Sequence, residues 1–128
     1  MSKQVKVIIE KDGKYLLVRR EDEEKKEHQG NWECPGGKLE ENESFENAAI
    51  RESKEETNLK IEIVKRVKEL GKNGEIDAVV FLGRPLSNKV KISKEHSEFN
   101  WFTYEELKKL EPITYKDFFL QLIELSRF

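Results

Sequence analysis

The segment SFENAAIRESKEETN, residues 44–58, limits what this chain can fold into more than any other part of it. Ser44 can accept a hydrogen bond from a first helical turn, Glu46 suits the positive end of the helix dipole, and Asn58 tolerates left-handed backbone. Together they predict a helix over residues 45–57. At about 100° per residue, Ala48, Ala49, Glu52 and Glu56 all fall within about 60° of Phe45. The stripe that the helix turns toward its neighbours therefore carries two carboxylates in its middle, with Glu55 on its edge. Like charges three and four residues apart repel, and a carboxylate facing an apolar interior loses hydration unless something positive meets it. Arg51 reaches Glu55 one turn on, but one guanidinium cannot neutralise three carboxylates. Two readings follow. One is a solvated acidic face, ordinary in a chain that is 39% charged. The other is a site for a hard divalent cation, where oxygen-only donors favour Mg²⁺ or Mn²⁺ over zinc.

The residues in front of the helix bear on that choice. Trp32, Glu33 and Cys34 read as a short strand. Pro35-Gly36-Gly37 then reads as a turn in which backbone can approach a ligand with no side chain between, and Lys38 follows at once. Such an order suits a polyanion bridged to the protein by metal.

Gly37, Glu43, Arg51-Glu52, Glu55-Glu56 and Leu59 are spaced so that residues 37–59 resemble the Nudix box, Gx5Ex7REUxEExGU with U a bulky aliphatic residue. The preceding Trp32-x-x-Pro35-Gly36-Gly37 is typical of the same family. Ser53 departs from the pattern, standing where an aliphatic is usual, and puts a hydroxyl against a packing surface. Asn58 stands where glycine is usual, but can supply the same left-handed cap. The resemblance implies an α/β fold (α+β in some schemes). This is the Nudix α/β/α sandwich, a mixed curved sheet between the box helix and C-terminal helices, as one domain over residues 1–128.

The resemblance also implies an activity, Mg²⁺-dependent (or Mn²⁺-dependent) hydrolysis of the diphosphate linkage in a nucleoside diphosphate bonded to another group. It makes Glu52, Glu55, Glu56 and the Gly36 carbonyl the metal ligands, with Arg51 orienting the glutamates in the catalytic set. Gly37 and Glu43 support the motif, and Arg20 and Lys38 hold phosphates. Glu55 and Glu98 are the leading candidates for general base, with Glu95 on the same loop as Glu98. The Trp-x-x-Pro-Gly-Gly-Lys run and the compact size resemble the MutT-like branch, which cleaves a nucleoside triphosphate to nucleoside monophosphate and pyrophosphate. The alternatives are ADP-ribose, nucleotide sugars or dinucleoside polyphosphates, or a non-catalytic nucleotide- or RNA-binding module. The expected partner is a small-molecule nucleotide, with no stable nucleic acid and no membrane, for a monomer or homodimer.

Composition narrows the field in the same direction. At 128 residues there is room for one core, and a net charge of −2 with a pI near 5.8 lacks the bulk basicity of a nucleic-acid binder. Cys34 is the only cysteine, so no disulfide forms within the chain, and no apolar run has membrane length; the cytoplasm is the expected compartment.

Elsewhere, turn signals at residues 11–14 and 71–74 predict two hairpins. Residues 75–82 read as a central strand interrupted by Asp77, residues 90–92 as an edge piece and 99–102 as a further strand. Residues 21–29 read as a solvated loop. Thr103 opens a capping box, and Thr114 caps a last helix whose Tyr115, Phe118, Leu122 and Leu125 read as core. Trp32, Phe81 and Trp101 are either core or base-stacking platforms.

Overall fold

A computed structural model describes residues 2–21 and 27–128. Its first elements are β1 (Gln4–Lys11) and β2 (Lys14–Arg20), joined by a turn in which Asp12 and Gly13 both have positive φ. That is the geometry a two-residue hairpin needs to match strand twist. Then come β3 (Trp32–Glu33), β4 (Gly36–Lys38), α1 (Phe45–Thr57), β5 (Ile61–Lys72), β6 (Glu75–Pro85), β7 (His96–Thr103), α2 (Tyr104–Lys109) and α3 (Lys116–Ser126). The second hairpin, β5 to β6, turns on Asn73 and Gly74, again both at positive φ. Asp77 lies within β6 and is half-buried. The read loop at residues 21–29 lies mostly outside the described residues; of its last part, Glu27 is exposed and His28 half-buried.

The first half of β1 runs between β4, antiparallel, and β6, parallel, and β5 closes that side. Its end turns into β2, which pairs antiparallel with β3 and β7. The sheet is therefore mixed, and strand alternation sends side chains to two layers. Val5, Val7 and Ile9 pack with Leu16, Phe81 and the α1 residues Ala48 and Ala49. Ile8 packs on the other face with Leu17 and Val80, beneath Leu107 of α2 and Phe119 and Ile123 of α3. Helices on both faces make the α/β/α sandwich. No described helix is long and apolar enough to cross a membrane.

Both caps of α1 fall where the sequence puts them. Ser44 Oγ accepts from the Asn47 N–H at 3.1 Å, and Asn58 is left-handed at φ 66° with its N–H donating to the Lys54 carbonyl. The Asn58 side chain also donates to the Lys89 carbonyl at 3.1 Å. Asn58→Gly thus gains backbone ease and loses this bond and a long, exposed one accepted from Lys54 Nζ at 3.4 Å, so its unfolding free energy in a urea titration should stay within about 1 kcal/mol of the parent. A loss above about 2 kcal/mol would contradict the cap.

Ser53 is fully buried, and among the described residues its hydroxyl has no hydrogen-bond partner. An unpaired hydroxyl in an apolar layer costs free energy that a methyl does not. Ser53→Ala should therefore stabilise by about 1 kcal/mol, read as a higher urea midpoint; a lower one would mean the hydroxyl has a partner.

Four sequence expectations give way. Residues 36–38 form strand β4 rather than a free turn, because the chain lies flush against β1: a Cβ on Gly36 would stand 2.2 Å from the Val5 carbonyl oxygen. Residues 90–92 form no strand; the Lys91 N–H donates to the Thr57 carbonyl, tying this loop to the end of α1. The N-cap of α3 is Tyr115 at φ 49°, without a side-chain cap, while Thr114 Oγ1 accepts from Asn31 at 3.4 Å. The buried stripe of α3 is Phe119, Leu122, Ile123 and Ser126, whereas Tyr115, Phe118 and Leu125 are 73%, 39% and 46% exposed. The segment carries two apolar stripes one residue apart, and the sheet selects the second.

Candidate active site on the first helix

Arg51 is the hub of the site. Its Nε and Nη2 grip the Glu43 carboxylate at 2.8 and 2.9 Å, a two-pronged pairing that holds Glu43 down at about 2. Nη2 also donates to the Lys38 carbonyl at 3.0 Å. Nη1 stands between Glu52 at 2.8 Å and Glu55 at 3.1 Å. One guanidinium thus ties the end of β4, the loop before α1 and two turns of α1 together. Glu43 and Arg51, to which the motif gives the supporting and orienting roles, are thus bound to each other.

Gly37 makes room for this. A Cβ there would fall 2.6–2.8 Å from the atoms of the Glu52 carboxylate, so the backbone of β4 and the head of Glu52 are in close contact. Beside it, Glu56 is buried and its Oε2 accepts from the Gly36 N–H at 3.3 Å. Burial, and then a hydrogen bond and like charge from Glu52, push the Glu56 carboxyl up to about 9.

Two carboxyl groups in contact in a partly dry site require a proton or a cation between them. This oxygen-only pair fits a hard divalent ion. Among the described residues no three His, Cys, Asp or Glu side chains are arranged as a ready-made metal site. Glu52 and Glu56 meet, while Glu55 is exposed and joins them only through Arg51. Of Gly36, it is the N–H that meets Glu56.

Sequence reasoning passed over three residues here. His96, fully buried at the start of β7, places Nε2 3.2 Å from Glu33 and 3.8 Å from Glu56, with Nδ1 3.2 Å from Ser93 Oγ. Glu33, on β3, also receives Arg20 at 2.9 Å. Burial alone would raise the Glu33 carboxyl, but the His96 hydrogen bond and the charges of Lys6 and Arg20 hold it at about 2. Lys6 is the third. An isolated glutamate between Trp32 and Cys34 was the one available signal; nothing in the spacing marks His96 or Lys6.

The remaining candidates are more scattered. The Arg20 side chain is held at Glu33 and not turned freely to solvent. Lys38 is exposed, its carbonyl serving Arg51. Glu98 is half-exposed in β7 and pairs with Arg19 at 2.8 Å. Glu95 is exposed one residue before His96, on a loop whose Ser93 N–H donates to the Glu56 carbonyl. Trp32 and Phe81 are core; Trp32 stacks edge-on against Phe102. Trp101 packs partly buried on the α1 layer.

On the α3 face, a cavity of about 190 Å³ opens between β1, β6 and α3. Its walls include Val80, Ile113, Phe119 and Leu122, and Lys6 and Glu33 supply charge to a mostly apolar lining that also holds Gln4 and Thr114.

Residues 4–122 match the sequence profile of the NUDIX domain. The chain belongs to the NUDIX family. It is similar to a MutT-like protein of Streptomyces ambofaciens, 34% identical over 105 residues, covering 80% of this chain and 64% of that protein. It is also similar to an ADP-ribose pyrophosphatase of Methanocaldococcus jannaschii, 33% identical over 112 residues, covering 80% and 62%. This NUDIX chain thus spans a little under two thirds of the length of the curated relatives it matches. Among solved structures it resembles the MutT NUDIX hydrolase of Burkholderia pseudomallei, with a TM-score of 0.74 at 27% identity over 95% of this chain and 97% of that one. The NUDIX fold, a mixed sheet between helices, is the one described above.

Proposed function

We propose that this NUDIX domain is a divalent-metal-dependent pyrophosphohydrolase. It cleaves the diphosphate linkage of a nucleoside diphosphate bonded to another group, and its preferred substrate is a nucleoside triphosphate, split to nucleoside monophosphate and pyrophosphate. The observation that carries this reading is the carboxyl pair of Glu52 and Glu56, pressed together on α1 and braced by Arg51 and Gly36. Glu52, Glu56 and Glu55 would hold Mg²⁺ or Mn²⁺. When bound, such an ion neutralises charge on phosphoryl oxygens and makes water more acidic.

The protein's own residues supply position and proton transfer. Arg51 fixes Glu52 and Glu55 relative to Glu43 and the Lys38 carbonyl, so the carboxylates need little rearrangement. Glu55, exposed, is the base candidate nearest the pair; Glu98 is the second, released from Arg19. Lys38 and Arg20 are proposed phosphate contacts, Lys38 from its exposed end of β4. The apolar cavity suits a ring system oriented by a few polar groups.

A second reading, ADP-ribose or a nucleotide sugar, is favoured by the similarity to the Methanocaldococcus jannaschii ADP-ribose pyrophosphatase. The test is phosphate and pyrophosphate release, with Mg²⁺ and with EDTA, from nucleoside triphosphates, oxidised nucleotides, ADP-ribose, nucleotide sugars and dinucleoside polyphosphates. Triphosphate cleavage to monophosphate and pyrophosphate is expected. Cleavage of ADP-ribose alone would select the second reading. No cleavage of any of them, with ligands still bound, would make this a binding module.

A further inference from the structure

Lys6 lies where the cavity meets the glutamates. Alternation along β1 sends Val5 and Val7 to the α1 layer and Ile8 to the other, so Lys6 rises on the cavity side. Its stem passes over β4: a Cβ on Gly36 would stand 2.8 Å from Lys6 Cδ. Gly36 is also the residue whose N–H meets Glu56. The Lys6 ammonium acts electrostatically on Glu33, Cys34 and Glu56, and its side chain shares the cavity wall with Glu33 and Cys34.

The carboxylates around it are already engaged, Glu33 by Arg20 and His96, Glu56 by Glu52 and the Gly36 N–H. Lys6 itself makes no hydrogen bond or ion pair with the described residues. A half-buried ammonium that has no hydrogen-bond partner among the described residues and stands in a mostly apolar wall can donate to an oxygen acceptor carried on a group that fills the cavity. A base carbonyl needs only an uncharged donor, whereas a full positive charge matches an anionic oxygen.

We infer that Lys6 is a substrate-binding residue whose ammonium holds a non-bridging oxygen of the phosphoryl group esterified to the cavity-bound moiety. This rests on the nucleotide reading proposed above. It assigns to Lys6 of this chain the contact to the phosphate that lies directly beside the group in the recess.

The test separates the two. Binding of adenosine, guanosine, cytidine and uridine and of their 5′-monophosphates is measured by calorimetry in EDTA, for the parent, Lys6→Met and Lys6→Arg. Thermal melts check that both variants fold. The parent should bind one monophosphate more tightly than its nucleoside. Lys6→Met should weaken the monophosphate by about tenfold or more, with the nucleoside affected less, and Lys6→Arg should recover most of the loss. With the cleaved substrate, Lys6→Met should raise KM more than it lowers kcat. An unchanged ratio of monophosphate to nucleoside affinity in Lys6→Met overturns the Lys6 contact and leaves the hydrolase standing. If turnover is present but monophosphates bind too weakly to titrate, a KM within about twofold of the parent overturns it equally. A parent that neither binds a monophosphate nor cleaves any substrate overturns both.

Discussion

Glu56→Gln should lower turnover by about a hundredfold or more while leaving the fold intact. Glutamine has the same shape, can still accept from the Gly36 N–H and can donate to Glu52, so packing at this buried position is preserved. What disappears is the negative charge that a cation needs. The variant also carries a stability signature. Burial and the neighbouring Glu52 push the Glu56 carboxyl up to about 9 from an ordinary 4.5. Between those values the unfolded chain has released the proton and the folded protein has kept it, so stability falls as pH rises through that window. Glutamine removes the slope. In EDTA, Glu56→Gln should melt above the parent at about pH 8 and alongside it near pH 4. Mg²⁺ should raise the melting temperature of the parent and not of the variant. Turnover within a few-fold of the parent would remove Glu56 from the chemistry.

Glu33→Ala should be the most destabilising change near the site. Glu33 is 7% exposed and its carboxylate stands between Arg20 and His96, with Glu56 further from His96. Its carboxyl, held at about 2, is below its ordinary 4.5, a drop worth about 3 kcal/mol. The sign is opposite to that of Glu56. This contribution is fully present above about pH 4.5 and is lost as pH falls toward 2. Removing the carboxylate takes a partner from a largely buried guanidinium and a fully buried imidazole, and breaking such a group costs about 3–5 kcal/mol. In urea titrations Glu33→Ala should lose about 3 kcal/mol or more at neutral pH and show a flatter acid limb. A loss below about 1 kcal/mol would mean that Arg20 and His96 do not depend on Glu33.

The parts of the site legible in sequence are those that local chemistry decides. The bounds of α1 are set by Ser44 and Asn58, whose capping acts within one turn, and the Arg51–Glu55 pairing follows from helical spacing. The larger share of Arg51 bonding, to Glu43 and the Lys38 carbonyl, depends on how residues 38–44 fold back over α1, which no periodicity encodes. Gly36 and Gly37 read as turn formers because glycine commonly marks turns. Here they are needed for close approach, one to the Val5 carbonyl and one to the Glu52 carboxylate. The α3 face is not legible in the sequence because both Phe118 and Phe119 begin acceptable apolar stripes, and only the sheet decides between them. Lys6, Glu33 and His96 come from three strands far apart in sequence, so their convergence is a property of the topology.

The decisive measurement is the yield of pyrophosphate and nucleoside monophosphate from the best-cleaved nucleoside triphosphate, for the parent and Glu56→Gln side by side, in Mg²⁺ and in EDTA. Equal amounts of the two products, formed by the parent in Mg²⁺ and nearly abolished both by EDTA and by Glu56→Gln, is the predicted result. Cleavage that persists in EDTA, or that Glu56→Gln supports as well as the parent does, would contradict a metal-dependent hydrolase built on the α1 glutamates.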